Sequence, residues 1–177
     1  MKKSGLLGLA LLVLLTVVAM ALPAAASAST HDYYRIYAGR DKQTVGYLGV
    51  WTEGETLVVD YVLYFGWLLE ETHLAVADDL SGIPLTRSGN PKIGQFAIFG
   101  DNSGMTFDPP VSRYTYRHHI DGTLPIYLSA HAVVYNPDTC QQETAFANCE
   151  KTVPFHQVGV GGRWGWWFEY PWPGQAT

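Results

Sequence analysis

Residues 57–64 read LVVDYVLY, a stretch with the two-residue hydrophobic alternation of a β-strand. One face is apolar throughout and comprises Leu57, Val59, Tyr61 and Leu63. The opposite face is mixed and comprises Val58, Asp60, Val62 and Tyr64. The stretch is therefore the clearest strand of the sequence.

Residues 125–135, PIYLSAHAVVY, repeat the pattern with a fully apolar face and an amphipathic face that contains His131. No stretch sustains a capped helical period, and turn residues rich in Gly, Asn, Asp and Pro separate the apolar segments. Further strands are predicted at residues 33–38, 44–51, 67–77, 111–118, 152–158 and 163–170. Seven or eight short strands favour an all-β fold, a two-sheet antiparallel β-sandwich, with a small β-barrel as the alternative.

The N-terminal 28 residues have the composition of a secretory signal peptide. Lys2 and Lys3 precede an apolar run over residues 6–22, and Ala26-Ser27-Ala28 forms a small-residue cleavage site. Cleavage after Ala28 would leave residues 29–177 as one exported domain without a membrane anchor. An uncleaved anchor is the alternative, because the apolar run approaches the length that spans a bilayer.

The charge of the chain argues against nucleic acid as a partner. The net charge is −5, and only 15% of the residues are charged. Two of the few basic side chains, Lys2 and Lys3, lie in the predicted signal peptide, so the exported domain is more acidic still. A phosphate backbone would be repelled by such a surface.

Cys140 and Cys149 are the two cysteines of the chain. An even pair in an exported protein predicts a disulfide that closes a short loop. The alternative, a pair of metal thiolates, does not match the usual zinc spacings.

The common catalytic signatures are absent from the sequence. It contains no G-x-S-x-G, H-E-x-x-H, C-x-x-C or P-loop motif. We therefore expect a protein that is not an enzyme.

Polar residues inside otherwise apolar strands are the candidates for a metal site. If the strands of His73 and His131 are neighbours, both imidazoles could converge with Glu71, and Glu143 could join them from the cysteine loop. Such donors suit zinc or copper, whereas a satisfied polar network that fixes strand register is the structural alternative. Calcium could bind loop oxygens of Asp78, Asp79, residues 101–104 and Asp108, although these residues are also ordinary turn formers.

Tryptophans are the candidates for ligand contacts. The C-terminal segment is rich in them, and exposed indoles stack well on sugar rings or partner surfaces. The predicted stacking residues are Trp167, Trp172, Trp51 and Trp67. The alternative is that these side chains fill the core.

Five segments appear in a familiar order: ETHLAV at 71–76, GNPKIGQF at 89–96, IYLSAHAVV at 126–134, ETA at 143–145 and WGWWFEY at 164–170. Together they resemble a family of small secreted β-domains without an established activity, found alone or as modules of extracellular proteins. The similarity covers most of residues 44–170, and it implies that the four metal candidates belong to the family signature. One departure is Phe146, where the family pattern has Trp after ETA.

Three functions follow in order of preference. The first is a non-catalytic secreted module that binds a glycan, a surface component or copies of itself, with Ser29–Ala38 as a strand for donation. The second is a metal-binding extracellular protein that uses the Glu/His residues. The third is a hydrolase that uses two of Glu70, Glu71, Glu143 and Glu169 as acid and base.

Overall fold

A computed structural model describes residues 31–64, 66–120, 125–148, 153–154 and 165–170. Within these ranges the regular structure consists of β-strands and two 3₁₀ turns, without an α-helix. The prediction of an all-β fold is therefore confirmed. The predicted signal peptide, Cys149 and Trp172 lie outside the described residues.

Twelve strands form in the described ranges; β1–β4, β8, β9 and β12 overlap predicted segments, whereas the long strands β7 and β10 were not predicted. Their bounds are β1 Asp32–Ala38, β2 Gln43–Glu53, β3 Thr56–Leu63, β4 Leu68–Ala77, β5 Ala97–Ile98, β6 Asp101–Asn102, β7 Met105–Val111, β8 Arg113–His119, β9 Ile126–Asn136, β10 Gln141–Asn148, β11 Val153–Pro154 and β12 Trp166–Tyr170. The 3₁₀ turns are Leu80–Gly82 and Ile93–Gln95.

The strands belong to one strongly curled sheet in the order β6-β5-β4-β9-β10-β1-β2-β3-β8. All pairs are antiparallel except β4 with β5. In addition, β7 pairs with β4, β12 pairs with β9, and β11 pairs with β12. Only Ser112 separates β7, which pairs with β4, from β8, which pairs with β3. This segment therefore connects two strands that are far apart in the sheet order.

The core lies on the inner face of this curl. The four apolar residues of β3 predicted to face inward, Leu57, Val59, Tyr61 and Leu63, all join the main buried cluster. The apolar face of β9 joins it as well, together with Phe168 and Tyr170 of β12. Burial of each large aliphatic side chain contributes about 1.5–3 kcal/mol, which makes this inner face the main source of stability.

Strand β4 departs from the predicted alternation. Its register with β9 shifts between Leu69 and Glu71, so that Glu70 is an additional residue in the ladder. A strict two-residue alternation over the strand predicted at 67–77 puts Leu69 on the face of Glu71 and His73, whereas Leu69 is fully buried in the core with Leu74. The facing predicted for Leu69 was wrong because a β-bulge changes the side to which every residue before it points.

Ser103 is buried and bonds to β4 between the residues that pair with β7 and the residue that pairs with β5. The Leu74 N–H donates to Ser103 Oγ over 2.9 Å, and Ser103 Oγ donates to the Phe96 carbonyl over 3.1 Å. The Tyr116 hydroxyl donates to the Ser103 carbonyl at 2.6 Å and shares a hydrogen bond of 2.8 Å with Thr72 Oγ1. Burial raises the pKa of Tyr116, so its hydroxyl stays a neutral donor in this network.

Strand β10 occupies the segment that was predicted to be a disulfide loop. Cys140, immediately before β10, is a free and exposed thiol, and Cys149 lies outside the described residues. The eight residues of β10 span about 26 Å in extended form. Because the Cα atoms of a disulfide lie within about 7 Å of each other, the predicted Cys140–Cys149 bridge is incompatible with β10 as a strand.

Candidate functional site

Two histidines lie side by side on the outer face of the sheet. His73 of β4 is directly opposite His131 of β9, and the ring centroids are 5.6 Å apart. Phe146 of β10 is opposite His131 on the other side, with ring centroids 4.9 Å apart. The two histidine strands are neighbours, which is the condition that the metal-site hypothesis set. We call Glu71, His73, His131 and Phe146 the histidine cluster.

His131 is buried without a polar partner. Its exposed fraction is 3%, and neither ring nitrogen makes a hydrogen bond within the described part of the chain. Burial, and then the neighbouring His73, lowers the pKa of His131 to about 3. The imidazole is therefore neutral near pH 7 and packs as an aromatic ring.

Other segments lie over the histidine cluster. The Trp166 ring lies 6.4 Å from Phe146, and the Trp166 carbonyl accepts a hydrogen bond of 2.9 Å from Ser129 on β9. On the other side, a Cβ atom at Gly104 would lie 3.3 Å from His73 Nδ1. Among the described residues, the His73 ring has one polar contact, between its Nε2 and Glu71 Oε2 at 3.4 Å.

Glu143 does not reach the histidines. It is opposite Val134 in the β9–β10 ladder, three residues from Phe146, so it points to the other side of the sheet. There it lies against Gly39 and accepts a hydrogen bond of 3.1 Å from Gln141. In the described ranges no group of three or more His, Cys, Asp or Glu residues could hold a metal ion. The predicted four-residue metal site is therefore not formed.

Two of the residues proposed for calcium, Asp79 and Asn102, act as turn formers. Asp79 accepts a hydrogen bond of 2.8 Å from the Ser81 N–H, and hydrogen bonding by Ser81 lowers the pKa of Asp79. Asn102 Oδ1 accepts from the Gly104 N–H at 3.0 Å. Both arrangements are Asx-type turns, in which the side chain stabilises its own loop.

Two of the carboxylates proposed for hydrolysis share a cavity. Glu70 and Glu71 line it at the β4 bulge together with Asp108, and its volume is about 350 Å³. Glu70 accepts a hydrogen bond of 2.6 Å from Gln142, whereas Glu71 contacts His73. Glu169 is exposed on β12 and does not line this cavity.

The four predicted stacking tryptophans have different environments. Trp67 is buried in the core, so its predicted contact with a ligand was wrong. Trp167 is half-buried against Tyr127 with ring centroids 5.7 Å apart. Trp172 lies outside the described residues. Trp51 is partly exposed on the outer face of β2, and its ring centroid lies 4.8 Å from that of His31.

A group of aromatic rings surrounds Trp51, which we call the aromatic face. Its members are His31, Tyr33, Tyr47, Trp51 and Tyr64. Neighbouring ring centroids lie 4.8 Å apart for His31 and Trp51, 6.3 Å for His31 and Tyr33, 5.6 Å for Tyr33 and Tyr47, and 6.4 Å for Tyr47 and Tyr64. Tyr33 is 62% exposed and Tyr64 is 48% exposed.

Gly49 is at the middle of the aromatic face. It is opposite Tyr33 in the β1–β2 ladder, and a Cβ atom there would lie 3.2 Å from Trp51 Cζ3 and 3.5 Å from Tyr33 Cε1. The missing side chain therefore leaves room for both rings to lie close to the strand. Sequence reasoning identified Trp51 alone. The alternation of Tyr47, Gly49 and Trp51 on β2 was a signal for Tyr47, whereas the rings from other segments had no such signal.

Paired charges fix the positions of the side chains around these rings. Asp60, opposite Gly49 on β3, is buried and accepts from Arg113 Nε at 2.9 Å and from Thr115 Oγ1 at 2.7 Å. Glu53 accepts from Trp51 Nε1 at 3.0 Å and from Arg117 at 2.7 Å. The hydrogen bond from Arg117, and then that from Trp51, lowers the pKa of Glu53, so this carboxylate stays charged and holds the indole.

Comparison with known proteins adds no family to this description. Among the helical segments of the described ranges, none is long and apolar enough to cross a membrane. No protein-family model, curated protein or solved structure matches the chain.

Proposed function

We propose that this chain is a secreted, non-catalytic module that binds a glycan through the aromatic face. The observation that carries the proposal is the set of five neighbouring rings on the outer face of β1–β3, of which Tyr33 and Tyr64 are largely exposed. Aromatic rings bury large areas against the apolar faces of sugars, while the polar tips of Tyr and Trp stay hydrogen-bonded. An exposed apolar patch of this kind marks an interaction surface.

The predicted export of residues 29–177 as a single domain belongs to the same proposal. A signal peptide over residues 1–28 would bring the aromatic face into contact with extracellular polysaccharides. Tyr33, Tyr47 and Trp51 lie on strands, and His31 and Tyr64 directly flank β1 and β3, which favours recognition of an extended polymer by a pre-organised surface.

For the architecture, a barrel-like closure is favoured over the two-sheet sandwich. The pairing of β7 with β4 and of β8 with β3 supports closure, because only Ser112 joins the two strands. Closure removes edge strands, so that the outer face is what remains for binding.

Strand donation to another copy has less support than glycan binding. Residues Asp32–Ala38 of the proposed donor segment form β1, which pairs with β2 along one edge and with β10 along the other. Donation would therefore require two ladders to break within the same chain.

The test is binding to a panel of soluble polysaccharides, measured by affinity electrophoresis and calorimetry. We expect Tyr33→Ala and Trp51→Ala each to weaken binding by about tenfold or more, because a lost stacking contact is worth about 1–3 kcal/mol. Gly49→Val, whose side chain would displace the two rings, should weaken it as well. The matched control is Phe99→Ala, since Phe99 is 40% exposed and stacks on His118 rather than in the aromatic face.

Three outcomes would contradict the proposal. The first is no binding to any polysaccharide by a folded wild type. The second is an equal loss in Phe99→Ala and Trp51→Ala. The third is release of reducing ends from the same polysaccharides, abolished by Glu70→Gln or Glu71→Gln, which would favour hydrolysis in the cavity at the β4 bulge.

A further inference from the structure

Arg35, a charged side chain among the rings of the aromatic face, has no partner among the residues that the structure describes. Arg35 of β1 is exposed, is directly opposite Tyr47 of β2, and comes two residues after Tyr33. In the described part of the chain its guanidinium takes part in no hydrogen bond, ion pair or ring contact.

The other charges of this face are already neutralised. Arg113 is paired with Asp60 at 2.8 Å, and Arg117 is paired with Glu53 at 2.7 Å. With these two pairs formed, Arg35 gives the aromatic face an uncompensated positive charge, although the net charge of the chain is −5. A positive group without a partner among rings, on an otherwise acidic protein, indicates local complementarity to an anion rather than general attraction.

We infer that the aromatic face selects an acidic glycan, in which a carboxylate or sulfate on a stacked sugar binds Arg35. Neighbouring strands are about 5 Å apart, and alternate residues of a strand are about 7 Å apart. A sugar ring on Tyr33 and Tyr47 therefore has its exocyclic substituent within reach of the guanidinium. Planar guanidinium binds carboxylate and sulfate oxygens in a bidentate manner, which gives both affinity and orientation.

This inference rests on the proposed glycan binding and names its substrate class. The probes are matched pairs of polymers: polyglucuronate with neutral cello-oligosaccharides for the carboxylate, and dextran sulfate with dextran for the sulfate. We expect wild-type protein to bind the acidic member of at least one pair about tenfold more tightly at low salt. The preference should shrink in 0.5 M NaCl, because exposed charges are screened over a few ångströms there.

Arg35→Gln should remove the preference for the acidic polymer and leave the affinity for the neutral one unchanged. Arg35→Lys should keep part of the preference, because a point charge remains without the bidentate geometry. Arg87→Gln is the matched control, since Arg87 is also exposed but lies in the loop between β4 and β5. It changes the net charge by the same amount and should leave both affinities unchanged.

The outcomes separate this inference from the proposed function. Equal binding of acidic and neutral polymers, with both abolished by Tyr33→Ala, would overturn the role of Arg35 and keep glycan binding. Equal effects of Arg35→Gln and Arg87→Gln would also overturn it, because the preference would then come from net charge. Binding of neither member of each pair, and of no other polysaccharide, would overturn both.

Discussion

The aromatic face and the histidine cluster occupy the same side of one sheet, yet one is open and the other is closed. They lie on neighbouring strands, because Tyr37, which is on the same side of β1 as Tyr33, is opposite Phe146 of β10. Tyr33 in the aromatic face is 62% exposed, whereas His131 in the histidine cluster is 3% exposed. Alternation along a strand determines the side to which a residue points, but it does not determine whether another segment lies over it.

The difference has a structural cause. Trp166 and the segment around Gly104 pack over β4, β9 and β10, where the histidines lie. Over β1–β3 the rings are in contact with one another and stay partly exposed. Residues with metal-binding chemistry therefore became part of a packed layer, whereas ordinary tyrosines became the accessible surface.

At pH 7, the largest expected effect in this comparison concerns the buried carboxylate beneath the aromatic face. Arg113→Ala leaves Asp60 buried with Thr115 as its remaining side-chain donor. We therefore expect the free energy of unfolding to fall by about 2–3 kcal/mol. This is less than the full cost of breaking a buried pair, because Arg113 is largely exposed. Arg117→Ala is the control, since its pair with Glu53 is exposed, and exposed pairs contribute about 0–1 kcal/mol. Urea unfolding of both variants at pH 7 measures the difference.

Adding Asp60→Asn to Arg113→Ala should restore part of the stability, because the uncompensated charge disappears. Equal losses in the two single variants would show that burial of Asp60 does not control the strength of its ion pair.

The next effect concerns the histidine cluster and depends on pH. The folded-state pKa of His131 is lowered to about 3, below the value near 6.5 of an unfolded chain. The unfolded state therefore binds the additional proton as the pH falls below 6.5, and folding stability decreases by about 1.4 kcal/mol per pH unit from this group, until about pH 3. His131→Phe should remove this part of the slope and be neutral or stabilising at pH 7.

The check is the free energy of unfolding of wild type and His131→Phe at pH 7, 6, 5 and 4. His118→Phe is the control, because His118 is a partly exposed histidine on β8. A wild-type slope unchanged by His131→Phe would contradict neutral burial of this ring.

The sequence predicted the strands with regular alternation, and it failed where another rule competed with alternation. The inner face of β3 and the apolar face of β9 were predicted correctly because a continuous apolar face that joins the core determines the register. The segment of β7 was not predicted, since Pro109 and Pro110 argue against a strand, and its pairs with β4 are in fact interrupted there. Strand β10 was interpreted as a disulfide loop because the two cysteines outweighed its weak hydrophobic pattern.

The candidate site was predictable only in part, for a related reason. Alternation indicated that His73 and His131 could point to the same side of the sheet, and the structure places them opposite each other on neighbouring strands. Which strands are neighbours, and which outer residues are then covered, depends on the long-range order of the sheet. The grouping of Tyr33, Tyr47 and Tyr64 around Trp51 therefore appears only in three dimensions.

The smallest expected effect tests whether β10 is a strand at all. Cys140 is exposed and free, so Cys140→Ser should change the free energy of unfolding by less than about 0.5 kcal/mol. Native protein should react with Ellman's reagent at Cys140, and reductant should leave the melting temperature unchanged. A thiol that is unreactive until reduction, with a loss of about 2–3 kcal/mol on reduction, would instead indicate the short-loop bridge. Such a bridge could not form across an extended β10, so Phe146 could then no longer pair with His131, and the histidine cluster would lose one of the residues that close it.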